Sequence, residues 1–251
     1  MSLLLHILSN KDIYDNINAI KEEKSMKYEI IGKTVPAVEF TLNNGEAVYS
    51  QRGGMVWQTE GIEMKTNAKG GVMKSLGRMF TGESIFMNTY TCQRDGAKVA
   101  FAATVPGDVI PVNISEQPNG FCIQKSAFLC AEPNVNISVE FTKKFSAGLF
   151  GGEGFIIQKA EGQGMLFLEV DGDCVEKILA PGEVLKVDTG DVVGFEKSVK
   201  YEVETVKGLG NIFLGGEGLF LTKLTGPGKV LLQTQNFNDF AGRVISMMPG
   251  K

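Results

Sequence analysis

An all-β fold is predicted by three features of this sequence. Glycine recurs singly or in pairs between short apolar runs, the apolar runs have strand-like length and patterning, and two strand-and-turn segments come back along the chain. There are 31 glycines and 8 prolines in 251 residues, against a usual glycine share of roughly 7%. Many short strands joined by turns produce that distribution. The full expectation is three pseudo-symmetric, β-sandwich-like repeats packed into one body, with short helices only at the two termini.

In chain order, residues 1–25 stand apart. The run LLLHIL is too short to span a bilayer, lacks a basic start, and leads into KDIYDNINAIKEEK with no small-residue cleavage site. Ile13, Ile17 and Ile20 share one helical face. Two readings stand open for this segment: an appended peripheral piece or a docked amphipathic helix. Residues 26–235 form the expected β domain, with repeats at about 42–104, 105–172 and 181–235. Residues 236–251 are a tail in which Phe237, Phe240, Val244 and Ile245, after Asn238 or Asp239 as cap, predict a short helix.

The first recurring segment is G-(D/E) followed by apolar alternation, a turn and a second strand. It reads GEAVYSQRGGMVWQTEGIEM from Gly45 and GEVLKVDTGDVVGFEKSVKY from Gly182, and a divergent middle copy is assigned to GDVIPVNISEQPNGFCIQKSAF from Gly107. Pro106 and Pro181 precede two of the three. The second segment carries glycine and glutamate ahead of an apolar strand, then another glycine that opens a further strand. Its copies are FTGESIFMNTYTCQRDGAKVAFA, FGGEGFIIQKAEGQGMLFLEV and FLGGEGLFLTKLTGPGKVLLQT. From Glu83, Glu153 and Glu217 to Gly96, Gly164 and Gly228 the spacings are 13, 11 and 11 residues, so a strand, a turn and a strand of near-constant length occur three times. Each unit has too few strands to bury its own apolar face, which predicts packing into one continuous body. MLFLEV and KVLLQT are nearly all apolar, as suits strands covered on both faces.

Composition excludes several functions. A net charge of −4 supplies no basic field to displace counterions from a phosphate backbone, so no nucleic-acid partner is expected. His6 is the single histidine, which removes the central member of Ser-His-Asp, Cys-His and His-ligated metal chemistry. Cys92, Cys122, Cys130 and Cys174 form no C-x-x-C pair and lie in apolar contexts, the usage of buried thiols in a reducing cytoplasm. No nucleotide-binding glycine motif opens a helix, and no cofactor is expected. No apolar run reaches the ~18 residues of a transmembrane helix.

The candidate ligand or partner loops are Gly82 and Glu83; Gly151, Gly152, Glu153 and Gly154; and Gly215, Gly216, Glu217 and Gly218. Lys74, Lys144 and Lys207 lie 9, 9 and 10 residues before the three glutamates. The glutamates either cap backbone N–H groups within glycine-rich turns or converge with the lysines on a small anionic ligand. Carboxylate-pair catalysis near a pseudo-axis is the third reading. Met55, Met64, Met73, Met79 and Met87 concentrate in the first unit, where they fill the core or soften a contact surface.

The two GGEG signatures, the P-G-(D/E) strand starts and the opening MKYEIIG resemble the altered-inheritance-of-mitochondria family and its bacterial relatives, over Met26 to Pro249. The resemblance implies a fold of the tryptophan RNA-binding attenuation protein superfamily and brings no established activity. Gly82 and Glu83 depart from the signature, with threonine before and serine after. The expected function is a non-enzymatic structural or protein-interaction module, self-associating or attached to an assembly at a membrane periphery, with a small-anion binder as the alternative.

Overall fold

The computed structural model describes residues 26–51, 53–68, 86–143, 155–205 and 220–248. A leading strand, β1 (Lys27–Ile31), precedes three runs of six. The first run is β2 (Ala37–Leu42), β3 (Ala47–Gln51), β4 (Met55–Gln58), β5 (Ile62–Ala68), β6 (Phe86–Cys92) and β7 (Ala97–Ala102). The second is β8 (Gly107–Asn113), β9 (Phe121–Gln124), β10 (Phe128–Ala131), β11 (Val135–Lys143), β12 (Phe155–Gly162) and β13 (Met165–Asp171). The third is β14 (Cys174–Leu179), β15 (Val184–Asp188), β16 (Val192–Glu196), β17 (Lys200–Thr205), β18 (Phe220–Thr225) and β19 (Gly228–Gln233), after which comes the helix α1 (Phe237–Met247). The fold is all-β with one short C-terminal helix among the described residues.

Within β2–β7, the first strand pairs with the sixth, the second with the fifth, the third with the sixth and the fourth with the fifth, all antiparallel. The same four pairings occur in β8–β13 and in β14–β19. Two further pairings, β3 with β10 and β9 with β16, fuse neighbouring runs into shared sheets. The resulting orders are β1-β2-β7-β4, β5-β6-β3-β10-β13-β8, β11-β12-β9-β16-β19-β14 and β15-β18-β17.

Three cores separate these four sheets. Val38, Phe40, Val99 and Phe101 of the first sheet meet Tyr90, Cys130 and Phe167 of the second. The Phe167 ring stands edge-on to Tyr28 and Phe40, with centroids 4.8 and 5.1 Å apart, the geometry that aromatic quadrupoles favour. Tyr49, Phe128 and Leu168 meet Phe121, Ile123 and Ala160 between the second and third sheets. Phe155, Ile157 and Phe195 meet Leu185, Tyr201 and Leu224 between the third and fourth. The second and third sheets are therefore covered on both faces, which is why β13 reads MLFLEVD and is buried almost throughout.

The repeated glycines have local reasons. Gly96, Gly164 and Gly228 take φ of +79°, +116° and +141° where β6 turns to β7, β12 to β13 and β18 to β19, a region closed to residues with a Cβ except at a cost. Gly45 and Gly182 occupy the turns 43–46 and 180–183, closed by Glu46 N to Asn43 O and Glu183 N to Ala180 O. The glutamate after each glycine doubles back: Asn43 N donates to Glu46 Oε2 at 2.7 Å, and Ala180 N to Glu183 Oε2 at 2.8 Å. This corrects the middle copy assigned to Gly107, which opens β8, a first strand of its run. The corresponding turn before β9 is 117–120, closed by Gly120 N to Gln117 O.

The C-terminal helix forms as expected, but its cap is Asn236, whose side chain accepts from Asn238 N. Asp171 Oδ2 also accepts from Phe237 N at 2.8 Å, which ties the first turn to the end of β13. The four cysteines are free, with Cys92, Cys122 and Cys130 buried and Cys174 half-buried. Met87 is buried, Met55 packs on the first core and Met64 is exposed.

Candidate interaction edges

The glycine-glutamate loops lie outside the described residues, as do Lys74, Gly82, Glu83, Lys144, Gly151, Gly152, Glu153, Gly154, Lys207, Gly215, Gly216, Glu217 and Gly218 individually. What is described is their framing. Each lies between the fourth and fifth strands of its run, and these strands pair up to Ala68 opposite Phe86, Lys143 opposite Phe155 and Thr205 opposite Phe220.

One polar cavity, of about 140 Å³, opens where the ends of β13 and β19 meet the start of α1. Glu169, nearly buried, accepts from Thr104 N at 2.7 Å. Gln233 bridges, accepting from Asp171 N and donating to Gly190 O. Burial raises the carboxyl pKa of both Glu169 and Asp171. Asp191, in the short turn between β15 and β16, is raised to about 6 by burial and then by Asp188, Asp239 and Asp171. The Glu169 and Asp171 carboxylates of this lining disfavour an anion, and Glu169, Asp171 and Gln233 are each engaged with a neighbouring group.

The clearest unsatisfied surface is formed by two strand edges. The third strand of every run carries a bulge at the same step: between Met55 and Trp57, between Phe128 and Cys130, and between Val192 and Gly194. Trp57, Cys130 and Gly194 then pair with Ala100, Phe167 and Leu231. In β10 and β16 the other edge is filled, with Cys130 opposite Ser50 and Gly194 opposite Ile123. Side chains reinforce the first of these joints, as Ser50 Oγ donates to Leu129 O at 2.8 Å and Gln51 Nε2 to Phe128 O at 2.9 Å.

Among the described residues two strands have no such neighbour. β4 ends the first sheet and β15 ends the fourth. The bulge residue Val56 is 50% exposed, whereas its counterparts Leu129 and Val193 are at 1% and 0%. β15 likewise exposes Val184 at 48%, while β9, its counterpart in the second run, is buried throughout. A strand edge with unpaired N–H and C=O groups is a template for another strand. A third exposed surface is α1, whose Phe240, Ile245 and Met247 are 51%, 66% and 81% exposed.

Sequence reasoning missed the edges. The second and third strands of every run are three residues apart, at 52–54, 125–127 and 189–191, but these connectors share no sequence pattern, and Trp57, Cys130 and Gly194 have no chemical likeness that would align them.

The fold and its edges define a class of protein: stacked antiparallel sheets joined by strand pairing, with exposed strands at both ends of the stack. Residues 28–235 match the model of the mitochondrial biogenesis AIM24 family, and the chain belongs to that family. An uncharacterized protein of Streptococcus pyogenes is 28% identical over 257 residues, covering 99% of this chain and 98% of that protein. The X-ray crystal structure of a Streptococcus pyogenes protein superimposes with a TM-score of 0.72 at 26% identity, covering 89% of this chain and all of the other. Among the described residues no helix is long and apolar enough to cross a membrane.

Proposed function

We propose that this protein is a non-enzymatic structural and protein-interaction module of the cytoplasm, built from three copies of one six-strand unit, that works by presenting strand edges and apolar surface to other protein chains. The recurrence of four pairings and one bulge in β2–β7, β8–β13 and β14–β19 supports the threefold reading. The observation that carries the interaction reading is exposure at both ends of the stack: Val56 and Trp57 on β4, Val184 on β15. Soluble chains ordinarily cover or charge such edges.

The anion-binding alternative draws no support from the described cavity, whose lining is acidic. Light scattering over a micromolar concentration series tests the main reading. A solution mass above that of one chain, rising with concentration, is expected; a single-chain mass throughout overturns self-association as the working interaction.

A further inference from the structure

We infer that β4 of one chain is paired by β15 of a second copy of the same chain, head to tail, in the register already used twice inside each molecule. This rests on the interaction reading above and names its partner and its contact.

The two internal joints share one construction. A second strand ends, three residues connect it to a third strand, and that third strand pairs, after its bulge, with the second strand of the preceding run. The residue after the bulge faces the penultimate residue of the neighbour: Cys130 faces Ser50 and Gly194 faces Ile123. The next residues continue the ladder, Ala131 with Tyr49 and Phe195 with Cys122. Among the described residues β4 has the same bulge with no strand beyond it, and β15 has the same connector with no strand on the edge away from β18. Transferring the register places Trp57 opposite Val187, Gln58 opposite Lys186 and Thr59 opposite Leu185. The joined sheet would run β17-β18-β15 into β4-β7-β2, the strand order of the two complete sheets.

Three details show the β4 edge to be ready for this. Trp57 Nε1 donates to Glu39 Oε2 at 2.8 Å, so the indole lies back across β7 towards β2 and away from the open edge. Thr59 N donates to Lys98 O on β7, so by strand alternation Gln58 N–H points outward. The ion pair on that face, Lys98 to Glu39 at 2.6 Å, is matched by Lys229 to Glu176 at 3.0 Å in the third run, where the joint to β9 is formed. A charged pair there is compatible with joining.

The occupant is a second copy because the first and fourth sheets share none of the three cores. The second and third sheets lie between them. A head-to-tail contact of this kind is heterologous, giving rings where the rotation closes and filaments where it does not.

The test uses the full chain. Gln58→Pro removes an N–H that points away from β7 and blocks the edge. This variant is expected to keep the wild-type far-ultraviolet circular dichroism and to remain at single-chain mass at concentrations where wild type associates. Because its β15 stays free, it should also shorten wild-type assemblies when mixed with them. Separately, Gln58→Cys and Lys186→Cys chains, each alone and then mixed under oxidation, should give a disulfide-linked heterodimer only in the mixture, since directly opposed strand residues have Cα atoms within the span a disulfide bridges. Wild-type assembly that persists in Gln58→Pro, with no mixed disulfide, overturns this contact while leaving the interaction reading in place. Disulfide formation within one chain of the Gln58→Cys, Lys186→Cys double variant also overturns it, in favour of self-closure. A wild type of single-chain mass throughout removes the broader reading.

Discussion

β16 and β4 carry the same bulge and pair with equivalent last strands of their runs, yet β16 is enclosed and β4 faces solvent. At the position after the bulge β16 has Gly194, whose missing Cβ would meet Cys122 O and Phe121 Cε1 of β9 at 2.8 Å. β4 has Trp57 there, 43% exposed. Across the last strand the partner residue changes in parallel, Leu231 behind Gly194 but Ala100 behind Trp57. The same scaffold position holds glycine in β16, where the β9 backbone lies close, cysteine in the other filled joint at β10, and an exposed indole in β4. The difference lies in what surrounds the strand, since the pairing behind it is shared.

The widest gap should appear at the residue behind the bulge. Phe167, paired with Cys130, sits against Tyr28 and Phe40, and Phe167→Ala supplies the residue that β7 has at the same place. A loss of about 3–5 kcal/mol is expected from denaturant unfolding, the usual range for a truncated core aromatic. A loss below about 1 kcal/mol would mean that the first and second sheets do not depend on this packing.

Next comes the joint itself. Gly194→Val introduces side-chain atoms into space held by β9, with an expected loss of about 1–3 kcal/mol from overpacking. Unchanged thermal unfolding of this variant would break the distinction between filled and open edges.

The connector between the open β15 and the joined β16 holds Asp191, whose folded pKa of about 6 exceeds the ordinary carboxylate value of 3.8. A raised acid binds its proton more readily folded than unfolded, so this group favours the folded state more as pH falls from about 6 towards 4. Asp191→Asn should raise stability at pH 7 by up to about 1 kcal/mol, given partial solvent screening, and remove its share of the pH dependence. Melting temperatures of both proteins across that window check the sign, and parallel curves would reject it.

The smallest effect belongs to the open edge. Val56→Ala should change single-chain stability by less than about 0.5 kcal/mol, while Val193→Ala, at the same bulge in the filled joint, should cost about 1–3 kcal/mol. Equal losses in the two unfolding curves would show that β4 is covered in solution.

Much of this architecture was legible in local chemistry. The glycines 96, 164 and 228 were readable as strand openers because positive φ leaves a residue-type signature. The G-E pairs at 45–46 and 182–183 were readable because the glutamate closes its own turn. The same logic misassigned Gly107, where Gly-Asp begins a first strand, since a short apolar run after glycine looks alike at either place. The helix cap was displaced to Asn238 or Asp239 because all three side chains can cap, and only the position of the first turn selects Asn236. The candidate loops were legible as motifs, and they fall outside the described residues.

The sequence by itself determined the all-β class, the turns and the terminal helix, because φ preference, side-chain turn closure and apolar patterning act within a few residues. Only the tertiary structure decided which strands became neighbours across runs, and so which edges stayed open. That outcome depends on backbone pairing between segments some 70 to 80 residues apart, where N–H and C=O groups common to every residue carry the contact and side-chain identity leaves little trace.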